Sequence, residues 1–416
     1  MIFSNRQRSS ERGQALIVIA IALVVLLGLT GLVIDGGNVF LDRRKAQNAA
    51  DSAALAAALA RIRGGQGMTN TALASAAQNG YTNDGTSNTV TVHVPPISGP
   101  NKDDIEYIQV VIVSHVRTHI ASVFGWKEFV NEVQAVARSK PSEVRELFHG
   151  MALVSLAPTS NCSNQKAFWI HSNATLDITG GGVFINSDNQ NCALIQQGNG
   201  TIHIQGSDQI SVAGGASIEK PQLLTPGVKI GSGSVMYPPP FFMPEIDCGD
   251  EIAQVSENGI SMSPGSWSGK FPPEGVSQLE AGVYCLEDGF EITGNQTLEG
   301  HNVTFNISSG EVHFGGTANL FLSAPTEGDY RGLLIYLPME NDSKVVLNGG
   351  SESSFTGTIL APASEIVING NNSASGFHSQ IIGYRIDADG SGNIVIVYKN
   401  QENYDAITMP EVQLSQ

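Results

Sequence analysis

The sequence predicts a mixed protein. An N-terminal transmembrane helix and stalk carry a small α+β head, followed by a mainly β region folded as a right-handed parallel β-helix, a solenoid. Three observations predict it. Twenty uncharged residues run from Ala15 to Ile34, roughly 30 Å as a helix and enough to cross a hydrocarbon core. An alanine-rich stretch of high helix propensity follows directly. Beyond residue 150 the chain breaks into short runs of alternating apolar and polar residues punctuated by Gly, Asn, Ser and Asp, the pattern of strands and tight turns.

Charge divides the chain at the same place. The 416 residues include 22 Lys or Arg and 39 Asp or Glu, a net −17. Met1 to Arg63 holds eight Lys/Arg against four Asp/Glu, a net +4, so the other 353 residues carry −21. Such an acidic body excludes nucleic acid as a partner, because binding phosphate backbones requires clustered cations.

Residues 1–14, with Arg6, Arg8 and Arg12, are expected as a cytoplasmic basic tail, and 15–34 as the span, with the lipid bilayer its partner. A cleaved secretory signal is the competing reading of the same residues. The apolar run exceeds a usual signal core, and the IDGGNVF that follows has no clear small-x-small site. The reading adopted is a single-pass anchor with its bulk outside the cytoplasm, although Arg43, Arg44 and Lys45 flank the far end too. Residues 35–63 are expected as an Ala-rich stalk helix with a flex point at Gly36 and Gly37. Leu55, Leu59 and Ile62, at i, i+4 and i+7, form the stripe expected to bury. Packing in a filament and packing on the chain's own head both fit that spacing.

Residues 64–140 read as the small α+β head: TALASAAQNGY as a short helix, then NTVTVHV and IEYIQVVIVSHV as strands, with VNEVQAVARSK after them. His115 and His119 stand four apart, a metal-binding spacing on a helix, but no HExxH or third ligand accompanies them. They read as structural, and the expected metal, cofactor and catalytic residues are none.

An ordered run of residues carries a resemblance. Arg12, Gly13, Gln14 and Ala15 lead an apolar span that closes on Gly-Leu-Val-Ile-Asp35-Gly-Gly. Arg43-Arg44 and Gln47-Asn48-Ala49-Ala50-Asp51-Ser-Ala-Ala follow. This resembles the N-terminal region of the TadG-like proteins of Flp (tight adherence) pilus systems. The resemblance implies an envelope-anchored, pilin-like protein working with other pilus assembly or envelope proteins. Prepilin peptidase substrates of such systems resemble a Gly followed by Glu at the fifth mature position. Here Val18 stands at that place after Gly13, so an unprocessed anchor is expected.

After a polar linker at 141–149, residues 150–400 hold roughly fourteen short strands, among them ATLDITG, TIHIQG, KVVLNGG and EIVINGN. Their recurrence without long loops points to a β-helix, with Asn186, Asn306, Asn348 and Asn369 at corners or in ladders. The prolines between 221 and 273 cannot donate ladder hydrogen bonds, so this stretch reads as a strap between two lobes. Residues 401–416 are left as a C-terminal tail. Cys162, Cys192, Cys248 and Cys285 lack zinc-ribbon spacing and suit two disulfides in an oxidising compartment. Cys162–Cys192 and Cys248–Cys285 are one pairing; the others, and four free thiols, stay open.

A glycan-cleaving β-helix requires two carboxylates converging on a groove, within about 10 Å. Asp177, Asp188, Asp208, Glu291, Glu365, Asp387 and Asp389 are scattered through the sequence. Asp387-x-Asp389 begins like a calcium loop, but Tyr398 occupies the place of the bidentate Glu. The expectation is no enzyme. Surface glycans are a possible partner through Trp169, Trp267 and the aromatic segment 237–242, for which burial under the strap is the competing reading.

Overall fold

The computed structural model describes residues 12–64, 67–206, 208–315, 317–348, 353–370 and 376–415, with the backbone alone for 12–15. The expected basic tail lies outside the described residues as far as Glu11. Two compact units emerge: Met1–Glu143 joined by Met409–Gln416, and Val144–Thr408.

In the first unit a single helix, α1 (Arg12–Ile62), runs 51 residues. The predicted flex point is absent, because Gly36 and Gly37 are helical like their neighbours. The apolar N-terminal part of α1 is long and apolar enough to cross a membrane, and its large side chains from Leu16 to Ile34 are exposed. The C-terminal part packs on α2 (Met68–Gln78) and on the antiparallel strands β1 (Asn88–His93), β2 (Tyr107–Arg117) and β3 (Glu128–Lys140).

The buried face of α1 is made of alanine. Ala46, Ala49, Ala50, Ala53, Ala54, Ala57 and Ala58 are fully buried in one cluster with Ile108, Val110 and Ile112 of β2 and with Val133, Ala135 and Ala137 of β3. The expected stripe is corrected: Leu59 is 38% exposed, and Leu55 and Ile62 are half-buried. Alanine lets the helix backbone approach the sheet closely at interior packing density, which leaves the larger side chains at the rim of the contact.

The expected tail is also corrected. Asp405–Ile407 pairs antiparallel with Val144–Glu146 in the second unit. Glu411–Ser415 returns to the first unit as an edge strand on β3. There the Arg138 guanidinium bridges Glu106 at 2.8 Å and Glu411 at 2.9 Å.

The second unit is mostly β with parallel sheets. Its strands fall into three parallel ladders that the chain visits in rotation. One pass runs through Thr297–His301, Val303–Ile307 and Val312–Phe314; the next runs through Asn319–Ser323, Leu333–Tyr336 and Val345–Leu347. The second and third ladders are continuous where Thr358–Gly370 and Ile381–Gly390 belong to both. Inside, Phe271, Phe290, Phe314, Phe355 and Phe377 stack one above another with ring centroids 4.8 to 5.7 Å apart.

The stacking order is not the chain order. In the first ladder, strands from Ser261–Met262 rise in sequence to Asn393–Val397, which then pairs with Thr175–Thr179, followed by Thr201–Gln205 and Leu224–Thr225. The late strands therefore lie beside the first, and the chain enters and leaves this unit at the middle of its ladders. Val228–Ile230 ends one side and Gly265–Trp267 the other, so the segment joining them must run the length of ten strands, about 43 Å. The predicted strap does this with a narrower span, since 224–225, 228–230, 261–262 and 265–267 are ladder strands. It is gripped all along. Asn186 exchanges hydrogen bonds with Val235 at 2.6 and 2.8 Å, Tyr237 rests on Tyr384, and the Tyr330 hydroxyl donates to the Glu245 carbonyl. The Cys248–Cys285 disulfide fixes its end.

Two outcomes are expected from this architecture. Ala54→Leu forces bulk into the closed α1–sheet seam and costs about 1–3 kcal/mol, read as a lower midpoint for the first unit's unfolding in calorimetry. Replacing Cys248 and Cys285 by serine opens a 37-residue loop and removes on the order of 4 kcal/mol from the second unit, with the strap the first site cut in limited proteolysis.

Candidate functional site

Three acidic residues lie on α1, and the first two organise the head. Asp35 and Asp42 are seven apart, two turns along one helix face. Asp35 is 3% exposed. Its carboxylate accepts the backbone N–H groups of His119 at 2.9 Å, Ile120 at 2.9 Å and Ala121 at 2.7 Å, capping the short helix Ala121–Phe124 from outside. Asp42 accepts the Tyr81 hydroxyl at 3.0 Å, the Asn131 amide at 2.8 Å and the Ser114 hydroxyl. The two carboxylates thus tie α1 to the loop after β2, to β2 itself, to β3 and to the chain after α2. Asp42 went unnoticed in the sequence, where its heptad relation to Asp35 on a helix so poor in acids was the available signal.

The other motif residues take different places. Gln47 donates to Asp51 at 2.9 Å and to the Gln134 carbonyl at 3.0 Å, anchoring α1 to β3. Ala49 and Ala50 lie in the alanine seam. Asn48 is exposed and engaged through its backbone carbonyl, which accepts the Ser52 hydroxyl. Gln47 and Asp51 also border a cavity of about 370 Å³ with Ser98, Asn101, Gln134 and Ser415. Arg12, Gly13, Gln14 and Ala15 continue α1 in backbone, and their side chains lie outside the described residues.

His115 and His119 are not on a helix. His115 sits in β2, 3.2 Å from Glu128, and His119 in the loop after it. Among the described residues no group of three His, Cys, Asp or Glu is placed to hold a metal.

In the second unit three of the seven carboxylates converge. Glu365, Asp387 and Asp389 stand on neighbouring parallel strands, Asp389 opposite Asn369 and Asp387 opposite Val367. The would-be calcium loop is strand as far as Gly390. His171 lies between the two aspartates, Nε2 at 3.0 Å from Asp387 and Nδ1 at 3.4 Å from Asp389, so the pair falls within the separation of a glycosidase pair, about 10 Å. Burial pushes the Asp387 carboxyl above its ordinary value, against the pull of His171. Burial acts upward on Asp389 too, but hydrogen bonds from Ser172 and Gly390, with His171, hold it below. Trp169 is sandwiched: His171 stacks on one side at 3.5 Å, and the Lys166 ammonium sits 2.8 Å from the ring centroid. A cavity of about 190 Å³ opens beside them, bordered by Lys166, Glu365 and Arg385. Of the remaining carboxylates, Asp177 meets His203 at 3.4 Å, while Asp188, Asp208 and Glu291 join no such group.

The four cysteines are paired as Cys162–Cys192 and Cys248–Cys285. Of the expected glycan-facing aromatics, Trp267 packs on the core, Phe241 is buried and Phe242 is exposed.

Asp42→Ala removes the acceptor of the Ser114 hydroxyl and leaves Tyr81 and Asn131 only the backbone carbonyls of residue 42 and Val39, which costs the first unit about 1–3 kcal/mol in denaturant unfolding. Tyr81 supplies a pH signature. Burial, reinforced by Asp42, raises its phenol above the ordinary 10.0, so its stabilising contribution is complete below pH 10.0 and is lost as the pH rises through the raised value. Thermal midpoints between pH 8 and 11 should fall less steeply for Tyr81→Phe than for the parent chain.

The alanine seam, Asp35, Asp42 and the Gln47–Asp51 pair all belong to one continuous stretch of α1, and comparison with known families falls on the same stretch. No curated protein and no solved structure matches the chain. Residues 13–60 match the family model described as Putative Flp pilus-assembly TadE/G-like, so the N-terminal region of this chain is a TadE/G-like segment.

Proposed function

We propose that this chain is a membrane-anchored structural component of a Flp/Tad pilus system, held by α1 with its N-terminus in the cytoplasm, that presents a right-handed β-helical domain in the cell envelope. The observation that carries the reading is the TadE/G-like segment on a helix that is apolar and exposed before Asp35 and alanine-packed after it. Support for the β-helix comes from three parallel ladders visited in rotation around a stacked phenylalanine column. The two disulfides suit an oxidising envelope compartment. Its partners are the lipid bilayer and other pilus assembly or envelope proteins.

We also read the chain as non-catalytic. The Asp387/Asp389 pair has the separation of an acid and base, but the gap where a glycosidic oxygen would sit is occupied by the His171 ring. Glycan stacking on Trp169 is disfavoured in the same way, since both its faces are covered. Adhesion to surface glycans is therefore the weaker reading.

The test separates sheared surface filaments from washed membranes and locates the chain and its N-terminal residue in each by mass spectrometry. Recovery in membranes with residues before Gln14 intact is the expected result. Recovery in filaments beginning at Gln14 or later would make it a processed pilin and overturn the anchor.

A further inference from the structure

The loop after β2 is more apolar than a solvent-facing loop should be. Val123, Phe124 and Trp126 are 79%, 69% and 65% exposed, and no covering element exists for them among the described residues of the first unit. Patches of this kind mark an interaction surface. Three observations fix what covers it. The Asp35 carboxylate holds the loop's backbone at His119, Ile120 and Ala121, so its height along α1 is set. Ile120 packs on Gly31, where any β-carbon would collide with its side chain. Gly31 lies three residues inside the end of the apolar run at Ile34, about 4.5 Å along the axis.

We propose that the loop Ile120–Trp126 is a second membrane contact, dipping into the headgroup and acyl boundary beside the exit of α1. The loop's groove reaches Gly28, six residues and about 9 Å inside the end of the apolar run, a depth that interfacial segments share at about 5–10 Å. Aromatic side chains are enriched at that level, and Trp126 is followed by Lys127, whose charge belongs with the headgroups. An apolar groove of about 360 Å³ between the loop and Gly28, Gly31 and Leu32 continues the same surface down the span. The occupant is lipid because the patch is continuous with the lipid-facing side of the helix. The function that follows is orientational: one helix leaves the head free to swivel and tilt, and a second contact fixes its face toward the bilayer.

This inference rests on the anchored reading, and the experiment separates the two. All four cysteines are disulfide-bonded, so a single added cysteine carries a nitroxide label. The full chain is reconstituted in vesicles of phosphatidylethanolamine and phosphatidylglycerol with a label at Leu26→Cys, Phe124→Cys or Lys102→Cys, and collision with oxygen and with a water-soluble nickel chelate is measured. Leu26→Cys reports the span and Lys102→Cys the exposed part of the head. The expected result is an oxygen-to-nickel ratio at 124 several-fold above that at 102 and below that at 26. Adding Asp35→Ala should lower the ratio at 124 toward that at 102 while leaving 26 unchanged. A lipid-like ratio at 26 with a water-like ratio at 124 overturns the loop contact alone. A water-like ratio at 26 overturns the anchor, and the loop contact with it. Protection of 124 from both reagents assigns the patch to a second protein chain, which also overturns lipid as its occupant.

Discussion

Close approach between one helix face and one sheet is the constraint on which the first unit depends. Seven alanines of α1 have no side chain beyond Cβ, so β2 and β3 lie almost on the helix backbone. Such a seam buries little apolar area per residue, and its specificity has to come from elsewhere. Asp35, Asp42 and Gln47 supply it. Each sends a polar group across the contact to a defined backbone or side-chain partner, which locks the rotation and register that alanine alone would leave free. The stretch that matches the TadE/G-like family is thus the stretch whose packing demands a fixed order of small and acidic residues.

The second unit is governed by connectivity. Its late strands dock against its first ones, which brings the two chain ends together as the antiparallel pair Val144–Glu146 and Asp405–Ile407. Adjacent ends are what allow a large unit to be inserted in the middle of a small one without disturbing it. The remaining connection must then travel back along the whole stack. Buried polar side chains make that arrangement specific. Asn186 holds the strap, while Gln380 donates to the Leu147 and Met151 carbonyls and its N–H donates to Asn403, joining the arriving and departing segments.

Much of this was legible in the sequence. The uncharged run, the alanine stretch and the alternating strands report local periodicity, and each appears where the residues place it. The cysteine pairs are near in sequence, so the simplest pairing was also the real one. What escaped were facts of tertiary order. Leu55, Leu59 and Ile62 have helical spacing, yet their volume excludes them from the closest part of the seam. Residues 411–415 carry too few apolar side chains to announce a strand, because β3 supplies the ladder they need. Glu365 and Asp387 meet because their two strands pair, and His171 joins them only because Ile386 pairs with Phe168 across the junction between late and early strands. A linear reading counts such carboxylates as scattered.

The insertion of the second unit has a mechanical meaning. Both of its chain ends attach to the first unit, one after β3 and one before the strand that pairs with β3. Within the first unit, tension applied between α1 and the head sheet passes through the alanine seam, and the covalent path from α1 to β3 does not enter the ladders, which the chain visits as a closed insertion. A pull on the second unit would instead divide between two chain connections and reach the head at neighbouring strands of one sheet. The second unit can thus gain or lose whole passes of chain without altering any connection within the first.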